Sequence, residues 1–382
     1  MAILWRQSAL AHRHAEIGGE LEDWNGMGTA WFYDNTPERA KADYEAIRTK
    51  AGLMDVSGLK KVHVSGADAA YVIDRVTTRN VEKIAPGRST YACMLNSEGK
   101  FVDDCIIYHI ALNSWLVVHG TGTGMEQLTS VAAGKNCSVI FDDDMHDMSL
   151  QGPKSVDILA KQIPEIRDLA YFGLMQTRLF GRDVMISRTG YTGERGYEIF
   201  CRAKDAVHIW DNILETGGEN VRPTQFSTLD MLRIESYLLF YPGDNSETFP
   251  FENETCGDTL WELGLDFTVS PGKEGFIGSE NHYASKGKER FKIFGVMLTD
   301  GKMDQMEMFA RVHANGKDVG VITYGLSSEL NNYSVAIARL DPSVAIPGTK
   351  LTVVQPDGTE LSATAEEMPF YDKDKSIRSA KG

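Results

Sequence analysis

Three glycines within seven residues, Gly190, Gly193 and Gly196, separate two short apolar runs, Val184-Met185-Ile186-Ser187 and Tyr197-Glu198-Ile199-Phe200. Neither run is long enough for a stable helix, and the glycines admit the positive φ of a tight reversal, so the pattern predicts paired antiparallel strands. The same device recurs at Asn96-Ser97-Glu98-Gly99-Lys100, at Ala314-Asn315-Gly316-Lys317 and at Pro356-Asp357-Gly358. A chain punctuated in this way is built largely from short strands joined by turns, with helices between them. No period of about 20–50 residues repeats, which argues against a solenoid or propeller.

Helical signals are local. Thr36 as N-cap and Pro37 at the first position open a helix to Lys50, with Ala40, Tyr44 and Ile47 at helical spacing and Gly52 beyond its end. Further helices are expected over Ala67–Val76, over Met125–Ala133 and, with an apolar face of Val207, Trp210, Ile213 and Leu214, over Asp205–Thr216. Strands are expected at Lys61–Ser65, on both sides of the Asn96–Lys100 turn, and at Ser114–Val118. Residues 55 to 140 thus read as one α+β unit. Glu247 to Asp258 is acidic and irregular and reads as a long surface loop. From Phe291 onward, short strands and turns suggest a terminal β-barrel.

At 382 residues the chain is long enough for two or three domains. A hydrophobic content of 42% with 24% charged residues is that of a globular protein. The net charge of −15 argues against a general nucleic-acid or membrane-surface binder. Five cysteines, none at C-x-x-C spacing, favour neither a disulfide framework nor a structural zinc site, and a reducing compartment is expected. The stretch from Met1 to Arg6 has no signal-peptide character, so a cytoplasmic location is expected.

Several common catalytic signatures are missing, among them the dinucleotide Gly-x-Gly-x-x-Gly, the phosphate loop and His-Glu-x-x-His. Gly120-Thr121-Gly122-Thr123-Gly124 follows a strand but lacks full dinucleotide spacing, and a flexible turn is the simpler reading. Asp103 and Asp104 begin an apolar strand, and alternation sends them to opposite faces. An inward carboxylate there is costly unless it is paired or used, although an Asp capping the turn would also fit. Glu198 lies within an apolar strand. It could accept parallel N–H bonds from an amino-heterocycle, or form an ion pair with Arg188 or Arg195. The nine histidines show no ligand spacing, and no metal site is expected.

Taken together, these segments resemble the folate-dependent aminomethyltransferase family, which comprises the glycine cleavage T-protein and related tetrahydrofolate-dependent demethylases. The likeness runs through Arg48-x-x-Ala51-Gly52-Leu53-Met54-Asp55-Val56-Ser57, Met94-Leu95-Asn96-x-x-Gly99-x-x-Val102-Asp103-Asp104, Leu150-Gln151-Gly152-Pro153 and Ser187 to Ile199. It continues in Leu232-Arg233-Ile234-Glu235, Phe276-Ile277-Gly278 and Met368-Pro369-Phe370-Tyr371. The resemblance implies an α+β, three-domain cloverleaf around a central folate channel. Residues 1–54 and 141–280 would form a split folate-binding domain, 55–140 an inserted domain, and 281–382 the C-terminal β-barrel and tail.

By the same motif match, Asp104 corresponds to the catalytic aspartate and Glu198 to the glutamate that holds the pterin. Tyr91, Tyr191 and Val117 correspond to other cofactor-binding positions. The implied activity is one-carbon transfer from a small methyl or aminomethyl donor to tetrahydrofolate, of the demethylase type. A glycine-cleavage enzyme served by a lipoyl carrier protein, and a non-enzymatic folate binder of the iron–sulfur assembly branch, are the alternatives. The chain departs from the family pattern where a folate-contacting arginine has become Leu229, at Gly58 and Gly120, and from Tyr241 to Trp261. The acidic loop Glu247–Asp258, with Phe249, Phe251 and Trp261, is compatible with a cationic donor.

Overall fold

In the computed structural model, which describes residues 6–250, 254–299 and 301–380, the first long helix begins where its capping residues require. Thr36 Oγ1 accepts the Arg39 amide at 3.3 Å, and the helix runs Pro37–Thr49. The strand Gly52–Asp55 that follows is the first of a six-stranded sheet, whose spatial order is Leu174–Leu179, Arg182–Ser187, Gly196–Arg202, Met145–Gln151, Gly52–Asp55 and Arg222–Pro223. Between its contributions at 55 and 145 the chain completes a separate five-stranded sheet, ordered Arg88–Leu95, Phe101–Ala111, Ser114–His119, Lys60–Ser65 and Ser138–Phe141. Arg6–Gln7, Glu20–Trp24 and Met27–Phe32 make a small three-stranded sheet. The strands from Lys292 to Glu366 close into a six-stranded barrel.

Strand alternation sorts the side chains into layers. One face of the six-stranded sheet carries Leu53, Leu150, Ile186 and Ile199 against the helix Ala203–Gly217. That helix buries Ala206, Ile209, Trp210 and Ile213, so its inward stripe is rotated from the expected one, and Val207 and Leu214 sit at its margin. One face of the five-stranded sheet packs Val62, Ala92, Cys105, Ile107 and Val117 against the helices Ala69–Val76 and Gly124–Ala132. The remaining faces meet each other, with Tyr108, Leu116 and Val118 against Leu174, Met185 and Phe200. This junction of two sheets positions the candidate site.

Two expectations about loops are corrected. Of the three glycines between Ser187 and Tyr197, only Gly193 has positive φ, at 80°. A Cβ on Gly190 or Gly196 would instead collide with the amide of Gln151, whose Nε2 donates to Ser149 Oγ at 3.0 Å and to the Thr189 carbonyl at 3.2 Å. Close approach rather than turn geometry therefore requires glycine at those two positions. The acidic segment from Glu247 is no free surface loop either. Phe249 is buried against Phe309 with ring centroids 4.6 Å apart, Glu254 meets Arg339 at 2.7 Å, and Asp258 meets Arg290 at 3.0 Å. Arg339 is fully buried in the barrel wall, and an arginine so placed requires carboxylates beside it. Glu254 and Asp258 are thus committed to arginines, which leaves neither of them to attract a cationic donor. Phe251 lies outside the described residues. Trp261 is a structural residue, stacked on His282 at 4.8 Å and donating to its carbonyl.

Candidate active site

Register along the strand Phe101–Ala111 decides which aspartate does what. Asp104 shares a face with Ile106 and Tyr108 and is directed toward the six-stranded sheet, whereas Asp103 shares the opposite face with Cys105 and Ile107. Asp104 is half-buried, and the Tyr91 hydroxyl on the neighbouring strand donates to its Oδ2 at 2.7 Å. Burial, and then the adjacent Asp103 carboxylate, push the Asp104 carboxyl up to about 7, against the Tyr91 bond that favours the ionised form. At neutral pH this group can therefore both hold and release a proton.

Asp103 is fully buried and serves no turn, contrary to the expectation. Its Oδ2 takes bonds from His119 Nδ1 at 2.8 Å and from the Gly124 amide at 3.0 Å, and its Oδ1 takes the Asp104 amide at 3.0 Å. The glycine-rich run now has a physical reason. A Cβ on Gly122 would stand 2.6 Å from Asp103 Cγ, and one on Gly124 would stand 3.1 Å from its Oδ2, so the run folds around this carboxylate at the start of the helix Gly124–Ala132. The Asn96–Lys100 turn is held instead by Asn96, whose Oδ1 accepts the Glu98 and Lys100 amides at 3.0 Å each.

Glu198 comes from the opposite sheet, paired with Ser149 on one side and Ser187 on the other. Its Oε2 accepts from Tyr108 Oη at 3.0 Å and from Thr189 Oγ1. Neither arginine considered for it is a partner. Arg188 donates to the carbonyls of Leu169, Arg378 and Ala380, while Arg195 bonds the Tyr197 hydroxyl and the carbonyls of Arg167 and Ala380. Burial raises the Glu198 carboxyl above its ordinary range, and the two hydroxyl donors oppose the rise. Tyr108 was legible as a site residue, since it lies four positions beyond Asp104 and so on the same face.

Tyr191 packs beside Phe226 and Leu229 and donates to the Leu238 carbonyl at 3.1 Å and to that of Leu239. Val117 does not join the cluster. Its side chain is fully buried in the helix-covered face, and it is Val118 that faces the six-stranded sheet. Leu229 is buried among Met54, Val56 and Phe226, with Trp24 and Trp31 at the margin. Arg233 is committed to Asp244 at 2.6 Å and Asp230 at 2.8 Å. Sequence reasoning also missed Lys61 and Asp147, both fully buried. Lys61 Nζ donates to the Ser57 carbonyl at 2.5 Å, and burial lowers its ammonium to about 8. Neither carboxylate oxygen of Asp147 has a partner among the described residues, and burial with the nearby Glu198 charge raises its carboxyl well above the usual range. Among the described residues no group of three or more His, Cys, Asp or Glu could hold a metal ion, and no helix is long and apolar enough to cross a membrane.

The chain as a whole is similar to known proteins. Residues 10–273 match the GCVT N-terminal domain, and residues 292–372 match the glycine cleavage T-protein C-terminal barrel domain. The chain is 56% identical to the heme-dependent oxidative N-demethylase gamma subunit of Ectopseudomonas mendocina, with both chains covered completely. It is 30% identical to an aminomethyltransferase of Cutibacterium acnes over 96% of this chain and 98% of that one. The crystal structure of the glycine cleavage aminomethyltransferase T of Bartonella henselae has the same fold, with a TM-score of 0.84 at 23% identity over 96% of this chain and 98% of that one. Domain matches over nearly the whole length, together with these full-length relatives, make the chain a member of the glycine cleavage T-protein family.

Proposed function

We propose that this chain is a tetrahydrofolate-dependent one-carbon transferase that works as a subunit of an oxidative N-demethylase. In this reading it captures the carbon that its companion subunits release. The observation that carries the reading is the pair Asp104 and Glu198, presented from facing sheets and each held by a tyrosine hydroxyl. Both hydrogen bonds to Glu198 fall on Oε2, which leaves Oε1 open to the amino edge of a pterin. The residues present therefore fit the folate, which would lie between the lobes built from 55–140 and 141–280. Support for the companion subunits is the relative at 56% identity, named as one subunit of such an enzyme. A lipoyl carrier has no part in it.

Oxidative removal of an N-methyl group leaves the carbon at the oxidation level of formaldehyde, not of a methyl group. Tetrahydrofolate supplies two nucleophilic nitrogens, and its condensation with formaldehyde gives methylenetetrahydrofolate and one water. Asp104 would donate its proton to the departing oxygen, and the resulting carboxylate would stabilise the positive charge that develops on the carbon. Tyr91 holds that carboxylate in place, while Glu198 with Tyr108 and Thr189 would orient the acceptor. The test is to mix the protein with tetrahydrofolate and limiting formaldehyde and follow methylenetetrahydrofolate by mass against the uncatalysed rate. Calorimetric titration of tetrahydrofolate accompanies it. Acceleration that is lost in Asp104→Asn supports the reading, and failure of tetrahydrofolate to bind overturns it.

A further inference from the structure

Between the two sheets, beside Glu198, lie two more titratable groups, Asp147 and Lys61, both fully buried. In the six-stranded sheet Ser149 stands opposite Glu198 and Asp147 opposite Phe200, so Asp147 is the diagonal neighbour of Glu198 on the same face. Lys61 comes from the facing sheet. It pairs with Val118, whose side chain is directed toward the six-stranded sheet, and it shares that direction. Ser57 joins the two, since its carbonyl takes Lys61 Nζ at 2.5 Å and its hydroxyl takes the Asp147 amide at 3.1 Å.

The two carboxyl groups differ in the donors they are given. Glu198 has the hydroxyls of Tyr108 and Thr189, and such donors favour the ionised form. Neither oxygen of Asp147 has a partner among the described residues. The other charges around the group are matched. Asp55 has His14 at 3.1 Å and the Ser57 amide at 3.0 Å, Asp142 has Arg202 at 2.8 Å and His63 at 3.0 Å, and Asp143 has Arg6. Farther along the layer, Asp104 has the Tyr91 hydroxyl. Among the described residues this leaves one ammonium and two carboxyls. A buried layer does not sustain two negative charges against one positive, and the carboxyl without donors is the one that stays neutral.

We infer that Asp147 and Lys61 are positioning residues: Asp147 stands protonated in the folded protein, and the Lys61 ammonium is left to hold Glu198 ionised for the N–H edge of the acceptor. The inference rests on the folate reading above and deepens it, by naming what keeps that carboxylate charged. The electrostatics run in the same sense. Burial, and then the Glu198 charge, raise the Asp147 carboxyl well above the usual range, with Lys61 opposing.

Infrared difference spectra of the unliganded protein at pH 7 locate the proton. Subtracting Asp147→Asn from the wild type should leave a carboxylic-acid C=O band that moves on deuteration. Carboxylate bands in its place would overturn the assignment. Tetrahydrofolate is then titrated by calorimetry into the wild type and Lys61→Met between about pH 6 and 9. Without the ammonium Glu198 takes up a proton, so Lys61→Met should bind about tenfold more weakly at pH 7. The deficit should close toward pH 9, where Glu198 ionises by titration and Lys61 of the wild type, lowered to about 8 by burial, gives up its own charge. A deficit equal at every pH, as a packing defect would give, would overturn the role of Lys61. Should Lys61→Met fail to fold, the infrared result decides alone. If tetrahydrofolate failed to bind the wild type, the folate reading would fall, while the acid band, present or absent, would still decide where the proton sits.

Discussion

Replacing Asp104 by Asn should abolish most activity and yet make the protein more stable, with a gain that grows as the pH rises from about 4 to 7 and is constant above that. In the folded chain the carboxyl titrates at about 7 instead of 3.8, because burial and Asp103 penalise its ionised form. Below the ordinary carboxyl range both folded and unfolded chains carry the proton, and Asp104 contributes no pH dependence. Between that range and pH 7 the unfolded chain gives up its proton while the folded one retains it, so stability falls as the pH rises. Three powers of ten in proton affinity correspond to roughly 4 kcal/mol, an upper bound on what the ionisable group costs the fold at pH 8. Asn keeps the shape and can still accept from Tyr91, so Asp104→Asn should recover about 2–4 kcal/mol at pH 8 and close to nothing at pH 4. Urea unfolding followed by tryptophan fluorescence at the two pH values measures this. In parallel, formation of methylenetetrahydrofolate should drop on the order of a hundredfold, with folate affinity changed much less. A variant that loses stability at pH 8, or shifts equally at both pH values, would refute the placement of a destabilised carboxyl at this position.

Asp103→Asn should act in the opposite sense. Removing a buried charge that serves His119 and the Gly124 amide should cost about 3 kcal/mol, read as a lower urea midpoint, and should lower the pH at which Asp104 titrates, read from the pH–rate profile. Glu198→Gln should weaken tetrahydrofolate binding on the order of tenfold while thermal unfolding stays near that of the wild type, measured by calorimetry. Leu229→Arg would introduce the arginine that the resemblance implies at this position but place a guanidinium among Met54, Val56 and Phe226. A loss of about 1–3 kcal/mol is expected in the urea midpoint, and tighter folate binding with full stability would count against that packing.

Much of the local structure was legible because its causes are local. Thr36 and Pro37 fix a helix start, alternation from Asp103 to Tyr108 fixes which side chains share a face, and the glycine turns fix the hairpins. Those rules were enough to send the two aspartates to opposite sides of one strand, and the ordered motifs sufficed to place the chain in its family. What the sequence could not supply was which face meets which neighbour, since that depends on segments far apart in the chain. Asp103 finds His119 and the Gly124 amide across a sheet, Glu198 finds Tyr108 ninety residues away, and the acids after Glu247 find Arg290 and Arg339 at the barrel. The side chain of Val117 turns from the site for the same reason, as one step of register exchanges the buried helix-side face for the site face. Local preference sets strand, helix and turn, whereas the destination of a buried charge is set by whichever distant group can satisfy it.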